Sequence, residues 1–143
     1  MGTSTINSNL YDLWNFHLVV IGFSLSIFTL LYSFILNKRY ELKTIAEQIK
    51  SGDKSPLIFQ KEKFAIKYIM RLKIFNKNCI YIFITSTILF CCSWIALRFV
   101  DDSQLLMKEI FVIIIEAFTI LLCFYLASQF VKIYQHYNSE TKI

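Results

Sequence analysis

Residues 108–130, KEIFVIIIEAFTILLCFYLASQF, set one carboxylate, Glu116, among isoleucines, phenylalanines and leucines. A charge in such surroundings is costly unless it is paired, hydrated or neutralised, so it raises a functional question before a structural one. Glu109, Glu116 and Cys123 recur every seven residues, with Val112, Thr119 and Ala127 on the same helical face. A face of that kind, turned towards water in an assembly, offers carboxylate and hydroxyl oxygens to a passing cation. Glu109, Glu116, Thr119 and Cys123 are the polar-face or pore candidates. Glu116 stands six residues inside its apolar run, roughly 9 Å deep at about 1.5 Å per residue. His17, near the start of the first apolar run, and Arg98, near the end of the second, reach similar depths. An ion pair with Arg98 or a hydrogen bond with His17 would lower the cost of burying the carboxylate, so both are candidate charge partners.

No other chemistry competes with this one. H-E-x-x-H, G-x-S-x-G, a phosphate-binding glycine loop and C-x-x-C are all missing from the sequence, and its two histidines, His17 and His136, lie at opposite ends. Cys79, Cys91, Cys92 and Cys123 fall in or beside apolar runs, and the adjacent Cys91 and Cys92 point to different helix faces, so they read as small apolar filler. The expectation is a protein that is not an enzyme, with no cofactor and no metal.

The elements that must position Glu116 follow from composition. The chain is 56% hydrophobic and 17% aromatic, with only 17% charged residues, one proline and three glycines in 143 residues. A water-soluble chain this short needs more polar surface to cover its core, whereas a bilayer accepts apolar residues on the outside. Three runs, 13–36, 79–100 and 110–133, each reach the roughly 20 residues that cross a hydrocarbon core of about 30 Å. Unpaired backbone is not tolerated in lipid, and the alternating pattern of a barrel is lacking, so the runs should be α-helices. The expected fold class is an all-α integral membrane protein with three transmembrane helices.

Cations set the expected orientation. Residues 37–78 hold Lys38, Arg39, Lys43, Lys50, Lys54, Lys61, Lys63, Lys67, Arg71, Lys73 and Lys77, 11 of the 15 basic residues, and should face the cytoplasm. The short N-terminal stretch 1–12 carries only Asp12, and the connection 101–109 opens with Asp101 and Asp102, so both suit the outside. The N-terminus is then external and the tail 134–143 internal. The first span lacks the basic flank of a cleaved signal peptide and should be retained.

The basic connection divides at SGDKSP, where Gly52 and Pro56 interrupt two helical stretches, KRYELKTIAEQIK and QKEKFAIKYIMRLKIFNK. In the second, Phe64, Tyr68, Leu72 and Phe75 share an arc flanked by Ala65 and Ile69, while Lys63, Lys67 and Arg71 recur every four residues. With Lys73 and Lys77 these cations form a candidate lipid or ligand surface, lying on anionic head groups. Ile66, Met70 and Ile74 interrupt the basic side, which leaves part of the helix to pack on a neighbouring subunit. No nucleic-acid fold signature is present, so a nucleic-acid ligand is not expected.

Each span is one-sided. Gly22, Ser26, Thr29 and Ser33 form a small or polar stripe on the first, extended by Asn15 and Asn37, and Cys79, Ser86 and Ser93 repeat every seven residues on the second. Small and polar faces are where membrane helices meet, so Gly22, Ser26, Thr29 and Ser33 are expected to pack helices together. The topology of three spans, external N-terminus, internal C-terminus and basic internal residues resembles that of class I phage holins, and small three- or four-span effectors of phage defence are similar in size. The resemblance implies a homo-oligomer in the bacterial inner membrane that permeabilises it. The long first connection and a tail with only Lys132 and Lys142 after the third span depart from the holin pattern. The functional expectation is a small oligomeric membrane protein that forms or gates an ion-conducting path. The alternative is a non-conducting immunity or accessory subunit packed against a larger membrane or cytosolic protein. Reporter fusions or cysteine labelling should place position 54 inside and the 101–104 turn outside, and an external signal from position 54 would overturn the orientation.

Overall fold

The computed structural model describes residues 2–52, 55–100 and 103–140, the side chains at 3, 136, 137, 139 and 140 excepted. Lys54, Asp101, Asp102, Lys142 and the side chain of His136 lie outside the described residues. Three α-helices, α1 (Thr3–Lys50), α2 (Pro56–Phe99) and α3 (Leu105–Glu140), account for the described chain apart from its connections, and no strand occurs among the described residues. Each is long and apolar enough to cross a membrane. The protein is therefore an all-helical, multi-pass membrane protein.

Length distinguishes these helices from the spans read in the sequence. α1 continues past residue 36 through KRYELKTIAEQIK to Lys50, and α2 begins at Pro56, so the stretches 38–50 and 60–77 belong to the same helices as the first and second apolar runs. No proline or glycine falls between Phe23 and Ser51 or between Leu57 and Phe99, so nothing in the backbone chemistry ends either helix at the apolar boundary. The break comes where the sequence places it. Ser51 and Gly52 close the last turn of α1 by donating backbone N–H bonds to Glu47 and Ile49, and the Ser51 hydroxyl donates to the Gln48 carbonyl. Gly52 takes a φ of 102°, a conformation that side chains resist. Pro56 then opens α2 at the helical position that needs no N–H donor, and the Ser55 carbonyl accepts from Ile58 N–H.

The chain forms two compact units. The first, Gly22–Tyr81, is a helical hairpin made from the second half of α1 and the first half of α2. Its core is Ile35, Ile69 and Leu72, with Leu31 and Leu42 packed beside them, and Ile45, Ile58 and Ala65 are also buried. The arc expected to be apolar is thus split: Ala65, Ile69 and Leu72 are inside, whereas Phe64 is 74% exposed and Tyr68 also faces outward. Lys38 partly covers Tyr68, with its ammonium 5.7 Å from the ring centroid, and pairs with Glu41 one turn on.

The second unit, Met1–Ile21 with Ile82–Ile143, is a three-helix bundle built from the start of α1, the end of α2 and α3. Ile6, Leu10, Leu89, Ala96, Val112 and Ile115 form its apolar core, and Trp14 of α1 stacks on Phe90 of α2 with ring centroids 5.5 Å apart. Most large apolar side chains point outward instead, among them Val19, Ile113, Leu121 and Phe124, as lipid contact permits.

A heptad rule orders the inward-facing positions. In α2, Ile58, Ala65, Leu72, Cys79, Ser86 and Ser93 recur every seven residues, and each is buried or half-buried. In α3 the seam runs Lys108, Val112, Ile115, Thr119, Leu122, Leu126, Gln129, in alternating steps of four and three. The α1 seam follows the same steps from Ile6 through Leu10, Leu13, His17, Val20, Ser24 and Ile27 to Leu31. One extra four-residue step, to Ile35, interrupts it before Lys38, Leu42, Ile45 and Ile49. A repeat averaging 3.5 residues is that of helices packing knobs into holes, and the extra step is a local unwinding of that pattern. Because Gly52 holds the turn in a strained region, Gly52→Ala should destabilise the hairpin by about 1 to 3 kcal/mol. Thermal unfolding followed by circular dichroism reads this loss, and Ser51→Ala should cost less.

Candidate functional site

The polar candidates of the third helix flank its seam. Counting from Lys108, Ile115, Leu122 and Gln129, the residues Glu109, Glu116 and Cys123 stand one position on, about 100° around the helix. Glu109 and Glu116 are half-buried and Cys123 is exposed. Thr119 lies in the seam itself. The α2 repeat behaves differently, since Ser86 and Ser93 are fully buried and Cys79 half-buried, so that stripe is the packing surface of the chain. On α1 the reverse holds: Gly22, Ser26, Thr29 and Ser33 are all exposed. The Ser26 and Thr29 hydroxyls donate to carbonyls one turn back, at Gly22 and Leu25, which leaves the stripe small, self-satisfied and open. Nothing lies within 4 Å of a Cβ built on Gly22.

His17 is brought to Thr119. Its Nε2 lies 3.0 Å from Thr119 Oγ1, and that hydroxyl donates to the Ile115 carbonyl at 2.7 Å. A threonine hydroxyl has one proton, so with it committed to Ile115 the oxygen accepts from His17 Nε2–H. The imidazole is then the Nε2–H tautomer, with Nδ1 left as an acceptor. His17 is wholly buried and Nδ1 has no hydrogen-bond partner among the described residues; the same is true of the buried Ser86 Oγ. The two stand at one level of the bundle. Starting from the Trp14–Phe90 stack, His17 is three residues along α1 and Ser86 four residues back along the antiparallel α2, rises of about 4.5 and 6 Å. His17, Ser86 and Thr119 therefore form a polar layer inside the three-helix bundle, with an acceptor and a hydroxyl in reserve.

Arg98 belongs to a different place. It lines a cavity of about 280 Å³ with Asn7, Tyr11, Trp14, Trp94 and Leu97. Neither Arg98 nor His17 makes a hydrogen bond or ion pair to Glu116, and among the described residues Glu116 has no polar partner. The sequence reading missed Lys108. It is only 3% exposed, and its Nζ donates to Asn7 Oδ1 at 3.3 Å across the bundle. Its signal was the spacing of seven that ties it to Ile115, Leu122 and Gln129, hidden because a lysine at the edge of an apolar run is ordinarily read as an interfacial anchor.

In the hairpin unit, Lys63, Lys67, Lys73 and Lys77 are exposed while Arg71 is half-buried. Lys77 lies over Tyr81, 5.7 Å from its ring centroid. Among the described residues no group of three or more His, Cys, Asp or Glu side chains could hold a metal ion. No family model, no curated protein and no solved structure matches this chain.

The polar layer yields a direct test. Thr119→Val removes the acceptor for His17 Nε2–H and should cost about 1 to 3 kcal/mol, the penalty for a buried unsatisfied donor. Thr119→Ser should restore most of it, and Ser86→Ala should be neutral or stabilising, because it deletes a hydroxyl with no partner. Unfolding by denaturing detergent from a mild micelle measures all three.

Proposed function

We propose that this chain is a small membrane protein that assembles with itself, and that the assembly forms or gates an ion-conducting path with Glu116 on its wall. One observation carries the reading. Glu116 is a half-exposed carboxylate within an apolar span, and no described residue of its own chain hydrogen-bonds or pairs with it. A carboxylate so placed needs water or a group from another chain, because lipid tails offer neither. Glu109 and Cys123 extend the same flank, which makes it a polar strip beside a packed seam.

Self-association has its own surface. The exposed Gly22, Ser26, Thr29 and Ser33 sit on a helix whose other outward positions are bulky, such as Phe23, Leu25, Leu30 and Tyr32. Without a hydrophobic force between helices in lipid, close approach over small residues is the main source of affinity. In the orientation favoured by charge, with the N-terminus outside and residues 37–78 in the cytoplasm of a bacterial cell, the exposed lysines of the hairpin meet anionic lipid or a cytosolic signal. The cellular role that fits is a membrane-permeabilising effector of phage defence or a holin-like protein.

The test pairs two measurements on two variants. Gly22→Leu should shift the purified protein to a smaller oligomer, measured by light scattering in detergent. Glu116→Gln should keep the wild-type oligomer and lower cation flux in liposomes by about an order of magnitude, equivalent to about 1.4 kcal/mol at the ion's binding step. An intact oligomer with no flux in the wild type would favour the accessory-subunit reading. Unchanged flux in Glu116→Gln would remove the carboxylate from the path.

A further inference from the structure

We propose that the cavity between the start of α1 and the end of α2 holds the phosphate of a phospholipid head group. Its wall comes from one face of each helix: Asn7, Tyr11 and Trp14 follow at steps of four and three on α1, and Trp94, Leu97 and Arg98 fall within one turn on α2. All six belong to the three-helix bundle. At about 280 Å³ the cavity lies near the lower end of small-ligand sites and accommodates a phosphodiester rather than a large solute.

Its polar groups specify an anion. The Trp14 indole N–H can only donate, and Nε1 is buried without a hydrogen-bond partner among the described residues. Nε1 is covered in this structure, so a ligand meets it only as the ring turns, and must then bring an acceptor oxygen rather than an ammonium. The Arg98 guanidinium supplies further donors in the fork that suits phosphate oxygens. Asn7 turns its Oδ1 to Lys108 Nζ, so its amide N–H groups remain as donors. The six lining residues include no carboxylate.

The position identifies a lipid as the source. Trp14 lies at the start of the first apolar run and Arg98 at the end of the second, where hydrocarbon gives way to head groups whichever way the chain is oriented. The rim is also built for acyl chains. Trp94 is 47% exposed and packs edge-on against the still more exposed Phe99, with centroids 5.7 Å apart. A phosphate seated on Arg98 and Trp14 can therefore run its tails down an aromatic and aliphatic surface.

Both tryptophans of the chain line the cavity, so tryptophan emission reports on it directly. The full chain, purified in a maltoside detergent, is titrated with short-chain phosphatidylglycerol, with the diacylglycerol of the same chains, and with inorganic phosphate. The expected result is a saturable emission change with phosphatidylglycerol, weakened tenfold or more in Arg98→Gln. Trp14→Phe keeps a ring and removes the N–H; read through Trp94, it should weaken binding too, and it carries the test if Arg98→Gln loses its helical signal. An equal response to the diacylglycerol overturns the phosphate assignment. Binding of inorganic phosphate as tight as that of the lipid overturns the lipid source, and unaltered affinity in both variants overturns the site.

Discussion

Leucine gains almost nothing by leaving lipid tails for a protein interior, so helices inside a bilayer are held by close packing and hydrogen bonds rather than by hydrophobic burial. The bundle unit follows that constraint. Its fully or nearly buried positions include His17, Ser86, Ser93, Lys108 and Gln129, while Val19, Leu121 and Phe124 point away from it. Small residues let the backbones approach, and Ser93 spends its hydroxyl on the Leu89 carbonyl of its own helix. Hydrogen bonds between helices, such as His17 to Thr119 and Lys108 to Asn7, then fix which face meets which. The polar layer, the unpaired carboxylate beside the seam and the donor-lined cavity all result from an interior more polar than its surroundings.

The α2 seam shows the constraint changing along one helix. At a constant spacing of seven, the inward position is Ile58, Ala65 and Leu72, then Cys79 near the end of the hairpin and Ser86 and Ser93 in the bundle. The geometry is the same and the chemistry reverses. Where the outside is charged, with Lys61, Lys63, Lys67 and Lys73 exposed, burial of isoleucine and leucine supplies the stability. Where the outside is apolar, that driving force vanishes and small polar residues take over. The changeover falls between Leu72 and Cys79, where the density of lysines also ends.

Much of the fold was legible in the sequence because it depends on length and composition: three helices capable of spanning, and a break at Gly52 and Pro56. The continuity of α1 through Asn37 and of α2 through Asn78 was hidden by the switch from apolar to basic residues, which alters the solvent outside a helix without ending it. Side-chain partners were less legible. The run Glu109, Glu116, Cys123 has the right spacing but is set one position off the seam, because periodicity gives the repeat and not its phase. Phase is fixed by the facing helices, through contacts such as Leu10, Leu89 and Ile115, that no single segment records. Arg98 and His17 were grouped with Glu116 by depth alone, and depth leaves azimuth free; the helices turn Arg98 to the Trp14 cavity and His17 to Thr119.

The unbroken repeat of α2 also governs how this gene can change length. Adding or removing one codon between Leu57 and Phe99 turns every later residue by about 100°, so Ser86 and Ser93 would leave the interior and a bulky neighbour would enter. Seven codons restore the phase, at the expense of sliding α2 past its partners by about 10 Å. Length variation should therefore accumulate at the two connections, and the interior of α2 should vary by substitution alone.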